Sequence, residues 1–143
     1  EPGAGDSEFA AVAAEPTAAR VDEAMANLQP HVALGAILEL STRVNRYLDA
    51  RAPWKLVKEP AGRPLALASL YHASNALRVL ALLLSPFLPD GARSLAERLG
   101  EPDLLERPDW PAEAADFTRL PPGRRVARGG PLFPRLEAPV ADA

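Results

Sequence analysis

The sequence predicts an all-α fold: an antiparallel bundle of about four to five helices with a proline-rich C-terminal wrap. Three observations predict it. Apolar residues recur at helical spacing over long stretches, prolines and glycines punctuate those stretches, and no segment alternates apolar and polar residues as a half-buried strand would. With 143 residues the chain can build one core and is too short for two comfortable domains. Hydrophobic residues make up 48%. Alanine is much of that share, so the expected core is thin.

The elements follow in order. From Asp6 to about Leu28, the residues Phe9, Val12, Val21, Ala24, Met25 and Leu28 form an apolar stripe, with Asp6 or Ser7 as cap. Pro16 splits the stripe, so two helices are expected, or an interruption near Glu15–Thr17. Pro30 suits a first helical turn, and Ala33, Ile37, Leu40, Val44 and Leu48 then trace one face. Glu39, Thr42, Arg43, Arg46 and Asp49 fall mainly on the other side, while Asn45 is expected near the buried side, tying down backbone. Alanine before Pro53 is biased away from the α region, so this helix ends by Arg51 or Ala52. Pro53 opens a short turn carrying Trp54 to Lys58, and "EPAGRP" is a loop.

A long helix follows over Pro64–Ser85. Leu67, Leu70, Ser74, Leu77, Ala81 and Leu84 trace one face, and Leu80 and Leu83 widen it. Such broad apolarity marks a helix covered on more than one side. Arg78 in this helix either snorkels or bridges to an acid. "PDGARSLAERLG" is a further short helix with Asp90 as cap and Gly100 just past its end. Beyond Gly100 prolines are frequent and no period persists. Residues 1–100 are read as the bundle, 101–136 as an extension packed on it, and 137–143 as a frayed tail. Trp110, without basic neighbours, is expected to pin the extension to the bundle.

Composition excludes several classes. There is no cysteine, hence neither disulfides nor thiolate metal sites, which fits a reducing compartment. The N-terminus lacks the basic and apolar regions of a signal peptide. The most apolar run, Val79 to Leu88, is too short to span a bilayer and is interrupted by Pro86. A soluble, cytoplasmic chain with no membrane partner is expected. No phosphate-binding loop, G-x-G-x-x-G, G-x-S-x-G or H-E-x-x-H pattern occurs. His31 and His72 lie on separate helices and read as structural or exposed, not as ligands. The chain alone therefore carries no catalytic site, no metal and no cofactor, and reads as a binding or structural module.

Net charge is −3, which argues against a general nucleic-acid coat. One segment departs from that balance. Residues 30–58 carry two acids and five bases, and they contain Trp54. An indole placed after Ala-Pro, among Arg43, Arg46, Arg51, Lys55 and Lys58, is either a stacking surface with phosphate-binding flanks or a plug under the corner. Residue types alone leave these two open, as they leave the basic segment open to being a solvated helix face.

Three blocks carry a resemblance. "NRYLDARAPWKLVKE", "LRVLALLLSPFLPDGARSLAERLG" and "PLFPRLE" occur in this order across most of Val32 to Leu136. Together they resemble the anticodon-binding domain of methionyl-tRNA synthetases. The first two blocks are shared more loosely with the valine, leucine and isoleucine enzymes, and the third is closer to the methionine enzymes. The resemblance implies a helical bundle that follows a catalytic Rossmann domain and reads a CAU anticodon, so the implied partner is the tRNA anticodon loop. It places Trp54 at the position that stacks on an anticodon base. It also implies an Asn and an Arg one turn apart on an earlier helix, which find no match upstream of Ala33 and are expected before Glu1. The H-I-G-H-like and K-M-S-K-S-like catalytic motifs are absent, so ATP, and zinc where the family uses it, belong to a catalytic part outside this chain. The site expected here comprises Trp54, Pro53, Arg46, Lys55, Lys58 and Asp49, with Asp49 either repelling wrongly placed phosphates or serving as a surface acid paired with Arg46 or Arg51. Two other readings stand beside it: a non-catalytic protein-interaction module using the apolar face of Pro64–Leu88, and the same domain from a valine, leucine or isoleucine enzyme.

Overall fold

A computed structural model describes residues 7–13, 16–106 and 110–134. Its described elements are helical, with no strand among them: α1 (Ser7–Ala13), α2 (Thr17–Ala26), α3 (Pro30–Arg51), α4 (Pro53–Leu56), α5 (Arg63–Leu84), α6 (Pro89–Arg98) and α7 (Trp110–Ala115). Two 3₁₀ turns, Pro60–Gly62 and Leu104–Glu106, join them.

Proline sets most of the boundaries. Pro30, Pro53, Pro64 and Pro89 stand in first helical turns, where a missing N–H breaks no internal bond. Pro16 separates α1 from α2 as its position predicts. α2 ends through Leu28, held at φ 56°, so that Gln29 N–H reaches the Ala24 carbonyl at 2.8 Å. Leu28 is thereby 88% exposed, and Met25 is exposed too, so the expected stripe reaches the core only through Phe9, Val12, Val21 and Ala24. Gly100, at φ 78°, closes α6 in the left-handed conformation expected of it. Asp90 does not cap α6: Leu88 holds that place, without a side-chain cap, and Asp90 lies in the first turn. The Asp6 or Ser7 cap and the frayed tail at 137–143 lie outside the described residues and side chains.

α3 and α5 are the long members, 22 residues each. Ala33, Ile37, Leu40 and Val44 are buried on α3 as the period predicts, and Leu48 packs at the margin. On α5 the buried face differs from the expected one. Of the expected residues Ala81, Leu80 and Leu83 are inside, joined by Ala66, Ser69, Ala73, Ala76, Val79 and Leu82, whereas Leu67 and Leu70 are exposed and Leu77 and Leu84 only partly covered. The reason is size. Small residues at 66, 69, 73 and 76 let neighbouring helices approach closely, and leucines spread round so much of the helix give no single period to choose between faces. By length and composition the stretch Pro60–Leu84 could cross a membrane, but over half of its most apolar window is buried against α3, α4, α6 and α7. The opposite face of α5 is the one the bundle occupies, and of the leucines named for a protein-interaction face Leu67 and Leu70 stay exposed.

A polar stripe runs along the same helix. Tyr71, Asn75 and Arg78 succeed one another at spacings of four and three and all face the segment after Gly100. Tyr71 Oη donates to the Leu120 carbonyl at 3.0 Å. Asn75 Nδ2 donates to the Tyr71 carbonyl, and its Oδ1 accepts the Leu120 N–H at 2.9 Å. Arg78 is fully buried and bridges to acids instead of snorkelling: Nε donates to Glu101 at 3.0 Å, one terminal nitrogen to Glu113 carboxylate, and the other to the Glu113 carbonyl at 3.1 Å. Arg124 and Arg119 complete an alternating row of charges from outside, at 3.1 Å from Glu101 and 2.6 Å from Glu113. Leu104, Ala114, Phe117 and Leu120 add apolar anchors. Farther on, the chain runs back along α6: Ala127 N–H donates to the Arg98 carbonyl at 2.7 Å, Arg98 donates to the Gly130 carbonyl at 2.6 Å, and the Phe133 ring lies over Gly91. The side chain of Trp110, expected to pin this segment, lies outside those described.

Candidate nucleic-acid interface

The corner between α3 and α4 is built around one residue. Ala52 adopts φ 43°, ψ 57°, a left-handed conformation that costs a non-glycine residue about 1–3 kcal/mol. Its N–H closes α3 on the Leu48 carbonyl at 2.8 Å, and its carbonyl opens α4 by accepting the N–H of Lys55 at 2.8 Å and of Leu56 at 3.3 Å. Pro53 then fixes φ and is itself buried. The chain turns sharply, and the next side chain, Trp54, is left 52% exposed. A plug would be covered; this indole presents a face to solvent.

The expected basic flank is narrower than the charge count. Arg46, Lys55 and Lys58 are exposed, as is Asp49, and among the described residues none of the four makes an ion pair. Asp49 is therefore not tied to Arg46 or Arg51. Arg43 turns inward: one terminal nitrogen donates to Thr17 Oγ1 at 2.8 Å, and its buried Nε meets no acceptor among the described residues. Arg51 is half-buried with its guanidinium 5.9 Å from the centre of the Tyr47 ring. Asn45 is exposed, contrary to expectation, because the helix turn at Val44 and Tyr47 already fills the inner face. His72 stacks on Phe9 at 4.6 Å and is structural; His31 is exposed.

An open groove of about 510 Å³ runs along the outer side of α3, lined by Gly35, Leu38, Glu39, Thr42, Arg43 and Arg46. Glu39 is engaged by Arg20 of α2 at 2.7 Å, and that hydrogen bond, with the guanidinium charge, holds its carboxyl below the usual range. No cluster of His, Asp or Glu with metal-binding geometry occurs among the described residues.

Residues 3–141 match the family described as the anticodon-binding domain of methionyl tRNA ligase. The chain belongs to that family. It is 39% identical over 125 residues to the methionine–tRNA ligase of Bacillus subtilis, covering 87% of this chain and 18% of that protein. It is 42% identical over 106 residues to the methionine–tRNA ligase of Streptomyces coelicolor, covering 71% and 20%. Its fold superimposes with a TM-score of 0.80 on the apo methionyl-tRNA synthetase of Mycobacterium tuberculosis, at 30% identity, covering 97% of this chain and 28% of that one. The chain thus spans about a fifth of the curated relatives' length, and the relatives are ligases of which it matches one part. Among the amino-acid alternatives the methionine enzymes stand, and the interaction-module reading loses its ground.

Two determinants escaped the sequence reading. One is the left-handed Ala52, whose only signal was the proline after it. The other is Gly62: a Cβ there would lie 2.5 Å from the Leu56 carbonyl oxygen, so the turn after α4 presses backbone on backbone.

Proposed function

We propose that this chain is the anticodon-binding module of a methionine–tRNA ligase and reads the CAU anticodon in protein synthesis. The observation that carries the reading is the half-exposed Trp54 indole, set at a corner behind a buried proline with cationic side chains on either side. Anticodon bases splay out of their loop onto such rings, and each base–aromatic stack contributes about 1–3 kcal/mol. Lys55, Lys58 and Arg46 meet the loop phosphates, which positions the strand without reading its sequence. Asp49 holds a negative charge at the same mouth and repels a phosphate placed out of register.

Chemistry belongs elsewhere in the enzyme. A catalytic Rossmann domain preceding this module carries the ATP site, and zinc where it is used; this chain supplies neither. The module works where tRNA is charged, in the cytoplasm. The test is a binding titration of wild type and Trp54→Ala with a CAU stem-loop. Trp54→Ala keeps the melting temperature and loses affinity by the stacking contribution of about 1–3 kcal/mol. A large fall in melting temperature with unchanged RNA affinity refutes the stacking role.

A further inference from the structure

The corner that presents Trp54 is held from both ends. At the entry, Ala52 sits at φ 43° and ends one helix while starting the next, and Pro53 behind it is buried. At the exit, the 3₁₀ turn Pro60–Gly62 comes back onto α4. Glu59 N–H donates to the Leu56 carbonyl at 3.3 Å, and Gly62 N–H donates to the Glu59 carbonyl at 3.0 Å. Gly62 has an ordinary φ of −83°, so it is not needed for conformational freedom. It is needed for space: a Cβ would meet the Leu56 oxygen at 2.5 Å and the Leu56 carbonyl carbon and Cα at 3.2 Å. All three are backbone atoms, which cannot step aside as a flexible side chain does. α4 has only four residues and cannot hold itself in place.

From this geometry we infer that Ala52 and Gly62 are positioning residues for Trp54, fixing α4 against α5 so that the indole meets RNA already ordered. The inference rests on the anticodon-binding reading and deepens it. A side chain ordered before binding loses less freedom on binding, and backbone strain kept at a site is a mark of such preorganisation. Trp54 touches the base; Ala52 and Gly62 act through it.

The experiment labels the chain with 5-fluorotryptophan, which reports its two tryptophans, and assigns the Trp54 line by Trp54→Phe. Fluorine spectra, melting curves and CAU stem-loop titrations are then compared for wild type, Ala52→Gly and Gly62→Ala. Ala52→Gly keeps the left-handed corner accessible but frees it. Gly62→Ala drives α4 off its seat. In both variants the Trp54 line shifts or broadens in the free protein while the Trp110 line stays. Affinity falls about 2- to 12-fold, the equivalent of ordering one side chain on binding. In Ala52→Gly this loss comes with a melting temperature within a few degrees of wild type, which a merely structural role would not produce. Unchanged Trp54 lines together with unchanged affinity in Ala52→Gly overturn the inference, even if Gly62→Ala fails to fold. If Trp54→Phe and Trp54→Ala bind RNA as wild type does, the anticodon reading itself fails, and that result is distinct from the others.

Discussion

Trp54 and Lys55 lie in α4 and Lys58 in the turn just after it, yet they contribute differently to RNA binding on the proposed reading. Stacking releases no counterions, whereas a phosphate contact does. Lys55→Gln and Lys58→Gln should each lower the slope of log affinity against log salt by about 0.7, the single-strand value per phosphate. Trp54→Ala should lower affinity at every salt concentration with an unchanged slope. Titrations between 50 and 200 mM salt, a range over which phosphate contacts are well resolved, separate the two. A second residue-scale case is Asp116. Its carboxylate accepts from the Thr118 hydroxyl at 2.6 Å, the Thr118 N–H at 2.8 Å and Arg119 at 3.0 Å. The Thr118 hydroxyl bond is the chief cause that lowers its pKa below the ordinary aspartate value of about 3.9. A carboxyl depressed in the folded state stabilises above its unfolded pKa, and that contribution disappears as pH falls through the lower folded value. Asp116→Ala should therefore melt below wild type at pH 7, and the two should converge in acid as pH falls through the depressed folded value. A gap that persists there would show that the carboxylate's charge is not what matters.

At the scale of elements, the two long helices show which predictions periodicity supports. α3 has a polar side, so the apolar side had to be inner. α5 turns its polar stripe of Asn75 and Arg78 inward, so polarity does not mark its outer side, and leucines such as Leu67 and Leu70 are left exposed. Leu83, 1% exposed, should lose about 2–5 kcal/mol on change to alanine, the range for large-to-small core substitutions. Leu67, 57% exposed, should change by no more than about 0.5 kcal/mol. Urea denaturation of the two variants checks the assignment. Equal losses would place Leu67 inside as the leucine spacing alone suggests.

Across the whole molecule, the C-terminal segment is joined to the bundle by its apolar anchors and by the charged row Arg119, Glu113, Arg78, Glu101, Arg124, whose three inner members are buried. A charge so far from water is tolerable only while its partners remain. Arg78→Met should cost about 3–5 kcal/mol, because it leaves two buried carboxylates facing an apolar side chain. Adding Glu101→Gln and Glu113→Gln to Arg78→Met should recover part of that loss, since removing a buried charge set together is far milder than removing one member. Chemical denaturation of the single and triple variants measures both. A triple variant no more stable than the single one would mean that Arg78 acts through packing alone.

Helix order, the proline-set breaks, the inner face of α3 and the block around Trp54 were legible in the chain itself. They are local matters: a proline removes an N–H wherever it stands, and a stripe with one polar side has one way to face. The family was legible for the same reason, since contiguous blocks such as "NRYLDARAPWKLVKE" carry it. What only the tertiary structure decided depends on partners remote in sequence. Arg78 acquired its acids from positions 23 and 35 residues away, and Asn75 acquired Leu120 from 45 away. Arg43 was withdrawn from the basic flank by Thr17, 26 residues earlier. The inner face of α5 was chosen by how closely other helices approach its alanines, and the seat of Trp54 by a glycine whose missing Cβ makes room for the Leu56 backbone. Residue type announces which groups need a partner; only the folded chain, which brings distant segments within hydrogen-bond reach, assigns one.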